Sequence, residues 1–372
     1  MLLDDLLAAM LAMGGSDLHV SEGAPPLVRV DGRLVPVAGA ADLDAGRVEE
    51  LVLDVVPEDL REDFRTVKTV DFSFAWRGRA RFRANAFVQK GSPALALRVI
   101  PTTVPTMAEL GVPEVLDRLV DLPHGLILVT GPTGSGKSTT LYATLNVLNQ
   151  EGVNIVTTED PVEYQLAGIT QVQTNNKVGL TFATALRSIL RQDPDIVLVG
   201  EMRDRETAHI GMEAALTGHL VLSTLHTNDA PSAVTRLTEM GIEPFLVGSA
   251  VDCVLAQRLA RRVCHKCVDM RQPDEVVLKE AGFDDDIIAE RPEIPHAVGC
   301  SSCSNTGYRG RLAVHEVMTV TEEIERLTVA RASSDEIERV AIDQGMRTLR
   351  EDGLSKVLLG RTTIEEVGRV IV

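Results

Sequence analysis

Aromatic residues are few: one Trp, three Tyr and eight Phe in 372 residues. Proteins that grip single strands stack bases on aromatic rings, so this composition argues against such a surface. Excess positive charge is also missing. Lys and Arg total 37 against 54 Asp and Glu, for a formal net charge of −17. That field repels phosphate backbones and gives no expectation of a nucleic-acid partner. No apolar run approaches the ~18 residues of a transmembrane helix. The first stretch, Met1 to Met13, is apolar but holds Asp4 and Asp5 and no Lys or Arg, so it lacks the basic start of a secretory signal. Leu2, Leu3, Leu6, Leu7 and Met10 recur at helical spacing and predict an amphipathic helix instead. Repeats and low-complexity tracts are absent as well. A cytosolic protein is expected.

What is present is ordinary in amount and uneven in placement. Hydrophobic residues make up 44% and charged residues 24%, as in folded chains, and the length predicts two or three domains. Leu27–Val30 and Leu34–Val37 flank Asp31-Gly32, a hairpin signal. Residues 42–65 read as helical. Asp71–Trp76 and Arg79–Phe87 read as strands around Gly78. In the second, Arg79, Arg81 and Arg83 alternate with Ala80, Phe82 and Ala84, so the guanidiniums share one face, either solvated or turned to an anion. Residues 101–113, with Pro101, Pro105, Gly111 and Pro113, read as a linker. Beyond it, Leu126–Thr130, Asn154–Thr158, Ile196–Val199 and Leu220–Leu225 are apolar strands, with Phe182–Arg191 helical. Strands alternating with helices predict an open, mostly parallel α/β sheet. Residues 264–311 read as loop-rich and 320–372 as helical.

Gly131-Pro132-Thr133-Gly134-Ser135-Gly136-Lys137-Ser138 fits the G-x-x-x-x-G-K-[ST] phosphate loop, with Thr139 next. It follows a predicted strand and opens a predicted helix, the context the motif requires. Glycines let backbone N–H groups curl around phosphates, and the helix dipole favours the anion. Lys137 is expected at the β and γ phosphates of ATP and Ser138 on Mg²⁺. Such a loop works with acids at neighbouring strand ends. Glu201 ends the strand after Ile196–Val199, and Glu159, Asp160 and Glu163 follow the strand ending at Thr158. One acid can polarise the attacking water while another holds Mg²⁺. We assign Ser138, Glu159 and Glu201 to Mg²⁺, and Glu163 and Glu201 to catalysis, leaving open which is the base. His219 and His226 bracket Leu220–Leu225, and His226 stands where a γ-phosphate sensor belongs. Arg203 and Arg205 either form local ion pairs or serve another subunit.

Four of the five cysteines form two pairs, Cys264-x-x-Cys267 and Cys300-x-x-Cys303. Two close thiolate pairs suit a tetrahedral Zn²⁺ site without an open position, hence structural. The 32-residue gap exceeds the usual spacing template. Cys253 reads as a small buried hydrophobe.

These stretches together resemble the secretion-superfamily ATPases that power type II secretion and type IV pili. The resemblance rests on Gly131–Thr139, Thr158–Tyr164 (TEDPVEY), Leu186–Asp204, Gly218–Ala230 (GHLVLSTLHTNDA), Ala256–Cys267, Gly299–Arg311 and Gln344–Val357. It implies a PAS-like N-terminal α+β domain (1–100), the linker (101–113), a RecA-like core (114–263), a four-cysteine zinc loop (264–311) and a helical end (312–372). It implies a cytoplasmic homo-hexamer docked on an inner-membrane platform protein, with membrane association only through that partner. It places Arg83 and Arg98 on the ATP phosphates. The four-cysteine loop resembles the assembly or secretion type, whereas the start, Ser16–Val20 with Pro25–Asp31, resembles the compact retraction type without an additional N-terminal domain. Assembly of pili or of a secretion pseudopilus is the expected role, with pilus retraction the alternative.

Overall fold

A computed structural model describes residues 2–30, 32–100, 103–113, 116 and 122–371. Met1, Asp31 of the expected turn and Pro101 of the expected linker lie outside the described residues. The chain divides into two compact units, Met1–Thr103 and Val104–Val372.

The first unit is a six-stranded antiparallel sheet, in the order β3-β2-β1-β6-β5-β4, with three α-helices among the described residues. Its elements are α1 (Leu3–Ala12), β1 (Asp17–Ser21), β2 (Leu27–Val30), β3 (Arg33–Pro36), α2 (Ala45–Val55), α3 (Arg61–Val67), β4 (Thr69–Trp76), β5 (Ala80–Gln89) and β6 (Ser92–Ile100). Leu6, Leu7 and Met10 of α1 are buried, while Leu2 stays exposed ahead of the first turn. The stretch expected as one helix over 42–65 is two, because Pro57 interrupts it and cannot donate in a helix interior. Asp44 caps the first, accepting from the Arg47 N–H at 2.8 Å. In β5 the two-residue period holds: Ala80, Phe82, Ala84 and Ala86 are buried in the core, while Arg83, and Arg79 just before the strand, are exposed. Arg81 departs from the open face, half-buried with its Nη2 donating to Ser73 Oγ at 3.0 Å.

The second unit carries a seven-stranded sheet in the order β15-β12-β7-β11-β10-β8-β9. It begins with α4 (Met107–Leu110), inside the stretch expected as a linker. The reason is local: Thr106 and Glu109 form a capping box, Gly111 closes the turn at φ +65°, and Met107 is buried in one cluster with Leu141 and Leu145. Then come β7 (Gly125–Thr130), α5 (Lys137–Leu148), β8 (Ile155–Glu159), β9 (Thr170–Gln173), α6 (Phe182–Ile189), β10 (Ile196–Val199), α7 (Arg205–Leu216), β11 (Leu220–Leu225), α8 (Pro231–Glu239), α9 (Pro244–Ala250) and β12 (Val251–Val263). β12, β7, β11, β10, β8 and β9 run parallel; β15 (Tyr308–Thr319) joins the edge antiparallel to β12. Every residue of β7, β10 and β11 is buried, as expected for parallel strands covered on both faces. The mixed α/β class with a mainly parallel sheet is therefore as the sequence suggested.

The stretch 264–311 is less loop-like than expected. It holds β13 (Val268–Arg271), α10 (Glu275–Ala281), α11 (Asp285–Ala289) and β14 (Ile294–Ala297). Leu278, Phe283, Ile288 and Ile294 share a small core with Leu354, Val357 and Val367. The end expected to be helical from 312 begins in strand β15 up to Thr319, whose apolar residues pair with β12, and is helical beyond it: α12 (Glu322–Val329), α13 (Ser334–Asp343), α14 (Leu349–Leu358) and α15 (Ile364–Val370). Among the described residues no helix is long and apolar enough to cross a membrane.

Candidate functional site

Parallel strands bring their carboxyl ends to one edge, and the motif residues gather there. β7 stops at Thr130 and the chain turns through Gly131–Gly136 into α5. Gly131, Gly134 and Gly136 have φ of +143°, +81° and +91°, conformations that side chains rarely adopt. At two of them the space is also closed to a side chain. A Cβ on Gly131 would lie 2.4 Å from the Gln257 carbonyl oxygen, and one on Gly136 2.7 Å from Gln257 Nε2. Lys137 is buried and donates from Nζ to the carbonyls of Gly131 (2.7 Å) and Pro132 (3.1 Å). Burial lowers its pKa, opposed by the nearby Glu201 carboxylate. Pro132, Thr133, Gly134 and Ser138 are exposed, and Thr139 is half-buried. Buried hydroxyls of Thr130, Ser135 and Thr158 have no partner among the protein atoms. Of these, the Thr130 and Ser135 hydroxyls belong to the glycine-lined turn itself, and orphaned donors there fit a phosphate ligand.

Glu201 follows β10 through Gly200, whose carbonyl accepts from Thr224 Oγ1 at 2.8 Å. Its carboxylate Oε2 lies 2.6 Å from Arg203 Nε and 3.7 Å from His226 Nε2. His226 begins the turn after β11, its side chain half exposed. Arg203 therefore forms a local pair, while Arg205 lies beside Gly241 instead. His219 sits at the opposite edge. It precedes β11, six residues of strand or about 20 Å from the phosphate side. Its Nδ1 lies 3.0 Å from the Ala214 carbonyl at the end of α7.

Glu159 closes β8 and is buried. Tyr142 Oη donates to its Oε2; Thr157 Oγ1 (2.5 Å) and Gln171 Nε2 (3.0 Å) donate to its Oε1. Burial raises its pKa against those donors. Buried and held by three donors, Glu159 braces the segment that follows. Tyr142 Oη also accepts from the Glu163 N–H at 3.1 Å. Gln171 further receives the Leu166 N–H and donates to the Tyr164 carbonyl, each at 2.8 Å. The supporting strand β9 was not anticipated; its alternating Gln171 and Gln173 are polar and carry no apolar signal.

Two further residues escaped the motif reading. Glu316 is buried on β15 and accepts from the Ala230 N–H (2.7 Å) and the Leu349 N–H (3.1 Å). It ties the turn after His226 to the start of α14. Arg258 donates to the Asn228 carbonyl at 2.7 Å in the same turn. An isolated Glu in VHEV has no spacing partner, so only the fold reveals it.

Cys264, Cys267, Cys300 and Cys303 come together, with ligand atoms all within 4.8 Å of one another. Sγ separations are 3.9 Å (264–300), 3.7 Å (267–303) and 3.8 Å (300–303). A tetrahedral metal with ~2.3 Å bonds to sulfur sets its ligands about 3.8 Å apart. The long gap closes because β13 and β14 pair, Val268 opposite Ala297, and return the chain to the first cysteine pair. Burial pushes the Cys303 thiol up, but the Cys300 and Gly307 N–H donors and the neighbouring Cys267 and Cys300 thiols outweigh it and hold it below the usual thiol range. Cys253 is fully buried, and its thiol is pushed far above the usual range by burial.

In the first unit Arg83 on β5 and Arg98 on β6 stand directly opposite in register. Arg98 Nε donates to Asp17 Oδ1 at 2.7 Å while its side chain stays exposed.

The family described as Type II/IV secretion system protein matches residues 69–369. A type IV pilus assembly ATPase PilB of Myxococcus xanthus is 55% identical over 249 residues, covering 67% of this chain and 44% of that protein. A type II secretion system protein E of Pectobacterium carotovorum is 43% identical across 99% of this chain and 75% of that protein. The chain thus spans less than half the length of the Myxococcus relative. The crystal structure of a pilus retraction motor PilT with bound ADP superposes with a TM-score of 0.78 at 31% identity, covering 99% of this chain and 96% of the other.

Proposed function

We propose, from the premise that this chain belongs to the Type II/IV secretion system protein family, that it hydrolyses ATP to drive a pilus or secretion machine. The observation that carries the reading is the meeting of a glycine-lined cradle with buried Lys137 and the Glu201–His226 pair on one sheet edge. Main-chain N–H groups of Gly131–Thr139 would hold the phosphates, with Lys137 leaving its own carbonyl partners to pair with them. Ser138 and Glu201 would hold Mg²⁺, which supplies charge neutralisation when bound. Glu201 accepts or orients the proton of the attacking water, Glu163 shares that task, and His226 fixes the Glu201 carboxylate and faces the terminal phosphate. Glu159 takes the supporting role, holding Glu163 through Tyr142.

The four cysteines suit Zn²⁺ in a closed thiolate site that staples the 264–311 unit. Arg83 and Arg98 complete a nucleotide site within a cytoplasmic homo-hexamer docked on an inner-membrane platform protein. The direction we assign is assembly of pili or of a secretion pseudopilus. The four-cysteine cluster and the 55% identity to an assembly ATPase support it. Retraction is the alternative, favoured by full-length superposition on a retraction motor.

Two measurements test this. Purified protein should hydrolyse ATP with Mg²⁺, and Lys137→Ala should abolish turnover; unchanged turnover overturns the ATPase reading. Deleting the gene and counting surface pili by electron microscopy then reads direction. Loss of pili or of a secreted substrate supports assembly, and hyperpiliation establishes retraction.

A further inference from the structure

β12 runs parallel to β7, and the pairing of Ala256 with Thr130 carries Gln257 level with Gly131. On this face of β12 the two alternate residues upstream, Cys253 and Leu255, are fully buried hydrophobes. Gln257 breaks that row with a polar group that is 2% exposed. A buried amide is costly unless both its ends are satisfied. Here they are, and both partners belong to the phosphate-loop region. Nε2 donates to the Ser135 carbonyl at 2.8 Å, and Oε1 accepts from Thr140 Oγ1 at 2.8 Å. Its own carbonyl fills the space a Cβ on Gly131 would need, and its Nε2 the space at Gly136. One side chain and its backbone therefore touch the start of the loop, its end and the first turn of α5.

The consequence follows from peptide geometry. In a planar trans peptide the C=O of residue 135 and the N–H of residue 136 point in opposite directions. Holding the Ser135 carbonyl against Gln257 turns the Gly136 N–H away from β12, leaving it for a ligand. We propose that Gln257 is a positioning residue that sets the phosphate-loop donors before nucleotide arrives, with Thr140 fixing the orientation of its amide. The proposal rests on the reading of this loop as an ATP site. A cradle set in advance holds ground state and transition state alike, so its loss raises KM and leaves kcat nearly unchanged.

The test uses the full chain, a fluorescent ATP analogue with Mg²⁺ for affinity, and steady-state turnover for KM and kcat. Gln257→Met keeps the shape and removes both hydrogen bonds; it should weaken analogue binding and raise KM by about tenfold, with kcat within about twofold. Thr140→Val removes only the donor to Oε1 and should weaken binding severalfold, whereas Thr140→Ser should restore it. Folded Gln257→Met with wild-type affinity overturns the proposal. So does Thr140→Ser behaving like Thr140→Val, because a packing role would not follow one hydroxyl. If Gln257→Met does not fold, the Thr140 pair decides alone. Failure of the unmodified chain to bind the analogue overturns the ATP reading itself, a result distinct from these.

Discussion

His226 Nε2 lies 3.7 Å from Glu201 Oε2, although the two residues follow different strands, β11 and β10. The same carboxylate oxygen holds Arg203 at 2.6 Å. One acid thus joins the segment after β10 to the turn after β11. Glu201→Gln keeps the shape and removes the basic oxygen; ATP turnover should fall on the order of 10²-fold or more. His226→Ala should fall less, and the double variant should lose little beyond Glu201→Gln, because the two act through one contact. Additive losses in kcat would show that they act separately.

Tyr142 supplies the second testable relationship. Its hydroxyl donates to Glu159 and accepts from the Glu163 N–H, and burial drives its pKa well above the usual phenol range. Tyr142→Phe leaves a buried carboxylate short of one donor and a backbone N–H without its acceptor. The cost should be about 1–3 kcal/mol in urea unfolding. Turnover should drop more than nucleotide affinity, because Glu163 loses its anchor while the phosphate loop does not. A variant with unchanged kcat would mean that the position of Glu163 does not depend on this hydroxyl.

The residues that could be read in advance share one property: their chemistry depends on neighbours close in sequence. The phosphate loop needs a short run of consecutive positions between a strand and a helix, and all of them stand in Gly131–Ser138. The strands Ile196–Val199 and Leu220–Leu225 were legible to the residue, because fully buried parallel strands are continuous apolar runs. What escaped depends on long-range pairing. β12 and β15 meet through a register that opposes Gln257 to His315, and Glu316 finds Ala230 and Leu349 only once that pairing forms. Linker composition marked 101–113, within which the two units divide after Thr103, but it could not show that the stretch also holds a capped turn that buries Met107. His226, and not His219, is expected from sequence beside the phosphates, and the six-residue strand between them sets the two at its opposite ends.

The four cysteines predict a metal-dependent local stability. Elemental analysis of freshly purified protein should give about one zinc per chain, and Cys300→Ser should lose it. Hydrogen exchange should then quicken at the β13–β14 amides, whose pairing returns the chain to the first cysteine pair. Amides of β7 and β11, buried in the central sheet, should keep their protection. Metal-free protein with protected β13 and β14 amides would show that the cluster does not staple this unit.

Glu366 on α15 predicts a specific acid sensitivity. Its side chain is fully buried, and it accepts from the Arg261 N–H at 2.7 Å, from Arg261 Nη2 at 2.8 Å and from Arg369 Nε at 2.9 Å. Arg261 also lies over the Tyr308 ring, 4.1 Å from its centroid. Burial alone would raise the carboxyl, but the two guanidiniums and the N–H outweigh it and hold it at about 2, below its ordinary 4.5. A carboxyl depressed in the folded state contributes stability that is complete above the unfolded value and is lost as pH falls through the folded one. The window therefore runs from about pH 4.5 down to about pH 2. The shift is worth up to about 3 kcal/mol, reduced by screening at the half-exposed arginines. Unfolding free energies measured from pH 6 to pH 2 should fall more steeply for the natural chain than for Glu366→Gln, which has no proton to take up. At neutral pH the same substitution should destabilise the chain, because both guanidiniums lose their counter-charge while one neutral amide replaces it. Parallel pH curves for the two proteins would show that this clasp between β12 and α15 contributes no acid-sensitive stability.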